Sequence, residues 1–221
     1  MTNQIGLPFD WQAQARTGSF LVSEANRLAQ RHVERWSDWP IPISVLSGPA
    51  RSGRSTLGRH FVALSGGLLI DDADRAEERQ LFHQWNIARD SGRPLLLIGR
   101  EAPALWPVEL PDLKSRLAAA PHVRIGDPDD ALIRQLIETG LAQAGSAYVA
   151  DVPEWLARRV ERSYAAVAEM LVRLNRLSLE ASRRISVPFL KEALQMQHFS
   201  PIVGDDDTPP PAANDAQEEE R

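Results

Sequence analysis

Two glycines five residues apart, then an arginine and two hydroxyls, make up the segment Gly48-Pro49-Ala50-Arg51-Ser52-Gly53-Arg54-Ser55-Thr56. These residue types in this order can bind phosphate. Gly48 and Gly53 let the backbone approach an anion, amides at the start of a following helix point at its charge, and the Ser55 hydroxyl suits a magnesium ion. Pro49, Ser52 and Thr56 complete the candidate nucleotide-binding stretch. Arg54 stands where such loops carry lysine. Its planar guanidinium can neutralise and bind phosphate bidentately, but it is larger than the ammonium that fits between β and γ phosphates. The expected ligand is ADP or ATP with magnesium, bound as a diphosphate or turned over slowly. A loop that holds no nucleotide is the alternative. A second element, "LLIDDAD", ends an apolar run with Asp71 and Asp72, an arrangement that holds a metal, so Ser55 and Asp71 are the candidate magnesium ligands.

The elements that must position these residues are legible as periodicity. "ISVLSG" (43–48), "GLLIDDA" (67–73), "PLLLIGR" (94–100) and the weaker "HVRIGD" (122–127) read as buried parallel strands. Helical patterns lie over 18–37, 54–64 and 76–91, the second directly after the glycine loop. Alternation of strand and helix predicts an α/β parallel sheet with right-handed crossovers. After residue 128 no strand signal remains, and helices are expected over 130–144, 153–163, 164–181 and 188–198. That predicts a small all-helical domain behind the α/β core. Between Ser55 and Leu68 lie only 12 residues, room for one helix and a turn at Gly66-Gly67. Many P-loop proteins place a further strand and helix there.

Composition bounds the rest. The chain of 221 residues, 43% apolar, can bury one sizeable core or a core and a smaller domain. It has no cysteine, and its five histidines lack ligand spacing, which argues against thiolate and histidine metal chemistry. No apolar run approaches a membrane span and no secretion signal opens the chain, so a cytoplasmic protein is expected. The net charge of −5 comes from the segment 204–221, "GDDDTPPPAANDAQEEER", with seven acidic residues against one arginine. Of 25 basic and 30 acidic residues, 24 and 23 remain without it, about +1. This acidic segment is too poor in apolar residues to build a core and is expected to be disordered. The tryptophans are expected in cores or domain interfaces rather than as a base-stacking platform.

Taken together and in order, "QIGLPF", "FLVSEAN", "GPARSGRST", "LLIDDAD", "LPDLKSRL" and "ERSYAAVAEMLVRLNRLS…RRISVPFLKEAL" resemble the Hda family of DnaA-related AAA+ regulators, in its shortened alphaproteobacterial type. The resemblance runs from Gln4 to about Leu194. It implies an AAA+ fold: a P-loop core with a reduced parallel sheet of about four strands, then a helical lid. The strand missing here is an edge strand in the family order 5-1-4-3-2, so its loss leaves the central strands paired. The implied boundaries are an arm (1–12), the core (13–128), the lid (129–200) and the acidic tail (201–221). The single-strand DNA-binding motif and the helix-turn-helix domain of DnaA have no counterpart in the sequence, so no direct sequence-specific DNA binding is expected.

The resemblance also implies partners and roles. Gln4, Ile5, Leu7, Pro8 and Phe9 fit the pattern Q-x-x-L-x-F of peptides that bind the DNA polymerase III β sliding clamp. Gln4 would fix one end, and Leu7 and Phe9 would enter an apolar pocket. An arm folded onto its own core is the ordinary alternative. Arg116 matches the family's arginine finger, a cation offered in trans to nucleotide on a neighbour, here ATP on DnaA. A surface arginine capping a helix near Leu117 is the alternative, and Arg100 and Arg124 lie nearby. The lid position that carries the sensor-2 arginine in AAA+ proteins aligns with Ala168. With Arg54, this argues against efficient autonomous hydrolysis. The expected function is clamp-linked stimulation of ATP hydrolysis on DnaA. A nucleotide-independent adaptor between the clamp and another AAA+ protein, and a self-sufficient ATPase of helicase-loader type, remain alternatives. A homo-oligomer is possible in each case.

Overall fold

The structure, a computed structural model, describes residues 20–195. Gln4, Ile5, Leu7, Pro8 and Phe9, and the acidic segment, lie outside the described residues. The core begins with α1 (Glu24–Glu34), started by a capping box: the Ser23 hydroxyl accepts from the Ala25 N–H while the Asn26 side chain accepts from the Ser23 N–H at 2.9 Å. The helix expected over 18–37 therefore starts at Glu24. It gives way to a short 3-10 turn at Trp36–Asp38.

Four parallel strands follow: β1 (Ile43–Ser47), β2 (Leu68–Ile70), β3 (Leu95–Gly99) and β4 (His122–Arg124), in the spatial order β2-β3-β1-β4. This matches the order that the resemblance implies without the strand that would flank β2. β1 and β3 are buried at every position, as central strands between two helical layers must be. Their alternation sorts side chains by face. Leu46, Leu96 and Ile98 pack with Ala29 and Val33 of α1 and with Leu57 and Phe61 of α2 (Arg54–Ser65). Ile43, Val45, Leu95 and Leu97 pack on the other face against α3 (Glu78–Ser91) and α4 (Pro111–Ala119). Each of these aliphatic side chains contributes about 1.5–3 kcal/mol by leaving water. Gly58 lets α2 lie close to the sheet, since a Cβ there would come within 2.6 Å of Ile98 Cδ1.

The helical lid comprises α5 (Asp130–Gln143), α6 (Val152–Ala157), α7 (Tyr164–Ala181) and α8 (Val187–Gln195). Ile133, Ile137, Leu156, Met170, Leu171, Leu174 and Leu190 form its separate core. Gly140 admits the Leu171 side chain between α5 and α7. The helix expected over 153–163 ends at Ala157. Ser163 sits in extended conformation (φ −138, ψ 145) as the N-cap of α7, and its hydroxyl accepts from the Ala166 N–H. A residue so committed cannot also continue the preceding helix. A short parallel bridge, Tyr148 to Ile185, ties two lid loops together where only helices were expected. Among the described residues no helix is long and apolar enough to cross a membrane.

Candidate functional site

The loop from Gly48 to Gly53 leaves the buried end of β1 and delivers the chain into α2. Gly53 is the N-cap of α2 with a left-handed backbone, φ 88, and Arg51 is also left-handed at φ 64. Glycine is required at Gly53 for the turn itself. At Gly48 the requirement is space: a Cβ would lie 2.9 Å from Ile125 Cβ. The opening N–H groups of α2 thus stand at the end of the glycine turn, where helix geometry leaves them without intrahelical acceptors. Ser52 is 4% exposed, and its hydroxyl oxygen has no hydrogen-bond partner. Ser55 and Thr56 are half-buried on the first turn of α2.

Arg54 does not extend from the loop alone. Its Nη1 donates to the Gly99 carbonyl at the end of β3. Gly99 is the register partner of Ser47, the last residue of β1, and the Gly48 N–H donates to the Arg100 carbonyl at 3.3 Å. Burial pushes the Arg54 guanidinium below its usual range, opposed by the charges of Asp71, Asp72 and Asp74. Asp71 and Asp72 lie exposed in the turn after β2, with Asp72 left-handed at φ 51. Asp74, which sequence reasoning passed over, accepts from the Arg100 N–H at 3.0 Å through one oxygen, while its other oxygen is buried without a partner. No local sequence signal sets it apart from the two aspartates before it.

Phe20 was also missed as a site residue. Its ring lies against the loop, so that a Cβ on Gly53 would meet Phe20 Cε2 at 2.9 Å. Asn26 is 2% exposed and fully engaged in the α1 cap, its amide donating to the Leu21 carbonyl at 2.7 Å. The core reaches the lid next to this point. The Gly126 N–H donates to the Ala25 carbonyl at 2.8 Å, and the Tyr164 hydroxyl donates to the Gly126 carbonyl at 3.2 Å. Burial, with Asp129 and Asp127 nearby, pushes the Tyr164 phenol up to about 12, so it remains a donor at ordinary pH. One turn along α7, Ala168 joins Leu136, Tyr164 and Val167 in lining a cleft with Arg51 of the loop. Ala168, expected at the sensor-2 position, brings no charge to that cleft, and the guanidinium that lines it belongs to the loop. Arg173 instead pairs with Glu169 on the surface of α7.

These residues fit a nucleotide phosphate: a left-handed glycine turn, a helix N-terminus, an unpartnered buried hydroxyl and a nearby guanidinium. Gly48, Pro49, Ser52, Gly53, Arg54, Ser55 and Thr56 form one continuous loop and helix start. A magnesium ion shared with phosphates needs few protein ligands, and Ser55 and Asp71 are the candidates. No group of three or more His, Asp or Glu residues that could hold a metal occurs among the described residues.

Arg116 stands apart from this loop. It lies on α4, in the helical layer on the opposite face of the sheet from α2. Its guanidinium donates to both oxygens of Asp112, donates to the Asn86 side chain at 2.7 Å, and lies 4.7 Å over the Phe82 ring. Arg100 and Arg124 are both exposed, at the ends of β3 and β4.

Residues 133–194 match the family model described as the lid domain of Hda. Domain III of the replication initiation protein DnaA from Thermotoga maritima superposes with a TM-score of 0.68 at 15% identity, covering 81% of this chain and 94% of that one. AMPPCP-bound DnaA from Aquifex aeolicus superposes with a TM-score of 0.55 at 18% identity, covering 69% of this chain and 62% of that one. An uncharacterized protein of Haemophilus influenzae is 29% identical over 120 residues, 54% of this chain. The match spans about half of that relative, 52% of its length. The chain thus carries a segment, residues 133–194, similar to the lid domain of Hda, behind a four-stranded core with the fold of DnaA domain III.

Proposed function

We propose that this protein is a DnaA-related regulator of replication initiation. It binds the DNA sliding clamp through Gln4, Ile5, Leu7, Pro8 and Phe9, holds ADP or ATP with magnesium at its P-loop, and promotes hydrolysis of ATP on DnaA. Arg116 acts in trans as the arginine finger. The observation that carries this reading is the placement of Arg116, on the face of the sheet away from α2 and braced by Asp112, Asn86 and Phe82. A guanidinium so placed suits a partner's phosphate better than its own loop's. Clamp tethering raises the effective concentration of the two AAA+ proteins, so each contact can be modest.

Isothermal titration of the clamp with the intact chain and with Gln4→Ala/Phe9→Ala tests the partner. Micromolar binding, lost in the double variant, is expected; no binding by the intact chain removes the clamp from the proposal. A second reading, a nucleotide-independent adaptor bridging the clamp and another AAA+ protein, is favoured by the engagement of Arg54 with Gly99. It is distinguished by stimulation of DnaA that persists when the protein carries no nucleotide.

A further inference from the structure

Arg54 closes a ring. β1 ends at Ser47, the loop rises from Gly48, and α2 opens at Arg54, whose side chain returns to the Gly99 carbonyl. Gly99 is itself the register partner of Ser47, so seven residues after leaving the sheet the chain is fastened beside its point of departure. Gly99 is a paired residue of the sheet, and Trp106 covers it closely. A Cβ there would lie 2.6 Å from the indole, and the indole N–H donates to the Glu101 carbonyl at 2.9 Å. The Gly48 to Arg100 contact adds a second tie between loop and strand tip. A lysine is shorter and offers a single nitrogen where the guanidinium offers a fork of donors.

We infer that Arg54 is a strut of the P-loop, anchored on β3 at Gly99, which holds the loop's shape without nucleotide and from which the guanidinium must part before it can serve a phosphate. It is a positioning residue. The inference rests on the nucleotide-site reading above, and it adds that the lysine-to-arginine difference exchanges phosphate affinity for ligand-independent order in the loop. The half-buried guanidinium, held among Asp71, Asp72 and Asp74, is consistent with a cation whose counter-charges come from the protein itself.

The test is thermal unfolding of the full chain without nucleotide, paired with binding of fluorescent mant-ADP, for wild type, Arg54→Met and Arg54→Lys. Arg54→Met keeps the aliphatic stem and loses the donors. Its melting temperature without nucleotide should fall by roughly 3–6 °C. Arg54→Lys should bind mant-ADP about tenfold more tightly than wild type, because no charge-assisted hydrogen bond has to break. An unchanged melting temperature for Arg54→Met, or lysine binding no tighter than a wild type that does bind, overturns the inference. If neither wild type nor Arg54→Lys binds mant-ADP, the nucleotide reading fails by itself, and the melting temperature alone decides the strut.

Discussion

Arg116 grips the carboxylate of Asp112, one turn earlier on α4, with two hydrogen bonds of 2.9 and 2.7 Å. The fork leaves the guanidinium little rotational freedom, and contact with Asn86 and Phe82 extends the support to α3. An arginine finger gains from such support, because orientation fixed before the partner arrives need not be created at the interface. Arg116→Ala should lower clamp-stimulated hydrolysis of DnaA-bound ATP by about a thousandfold or more. It should cost the chain itself only about 1 kcal/mol, as exposed pairs and cation–π contacts do. Asp112→Asn, which keeps the arginine and loosens its hold, should fall between the two. Full stimulation by Arg116→Ala in a single-turnover assay would exclude this residue from the reaction.

A histidine pair makes stability fall on the acid side. His32 Nε2 lies 2.6 Å from the Ser44 hydroxyl, which itself donates to the Pro121 carbonyl at 2.9 Å. The hydroxyl has one proton, so His32 must be the donor in that contact, through Nε2–H. Burial first, and the nearby His122 second, hold His32 below its ordinary 6.5. His122, although its residue surface is largely exposed, is depressed by desolvation of the ring where it meets Ser47 and by Arg124. The unfolded chain therefore takes up protons before the folded one. The stabilising contribution is complete above about pH 6.5 and is lost as pH falls through the lower folded value. Melting temperatures measured from pH 8 to pH 5 should decline more steeply for wild type than for His32→Gln.

Close packing at Gly58 admits a side chain only if the ends of Ile98 and Leu69 shift. A Cβ would meet Ile98 Cδ1 at 2.6 Å and Leu69 Cδ1 at 2.9 Å, and both belong to the sheet beneath α2. Helix propensity alone favours Gly58→Ala by up to about 1 kcal/mol. Overpacking should outweigh it, giving a net loss of about 1–3 kcal/mol for Gly58→Val. Urea unfolding of the two variants checks the order: wild type, alanine, valine, from most to least stable.

The core–lid joint hangs partly on one phenol. Tyr164→Phe removes the donor to the Gly126 carbonyl and keeps the ring that packs beside Ala29 and Leu132. The expected cost is about 0.5–1.5 kcal/mol. Hydrogen exchange should quicken at Gly126 and Asp127 while the α7 interior stays protected. Unchanged exchange at the joint would mean that packing alone fixes the lid.

Much of this is legible in the sequence because it depends on local pattern. The apolar runs around Val45 and Leu97 read as buried strands, and the glycine turn that ends at Gly53 marks the start of the helix behind it. What escaped depends on contacts between segments distant in sequence. Nothing near Arg54 says that its guanidinium will turn to Gly99, 45 residues away. Phe20 reads as one more apolar residue until the fold lays it on Gly53. Asp74 follows two more conspicuous aspartates and is distinguished only by Arg100 reaching it from β3. The nine residues of α4 were noticed for their arginine rather than for Leu113 and Leu117, whose four-residue spacing places both in the core.

The shortened sheet has a colloidal consequence. Among the described residues β2 is the margin of the sheet, and a strand margin can recruit foreign strands into a growing aggregate. Here the margin spans three residues, Leu68–Ile70, and runs directly into the exposed carboxylates of Asp71 and Asp72. So short a ladder offers an incoming chain few rungs, and a strand that overshoots it meets two negative charges. The seam of the described sheet carries its own gatekeeper.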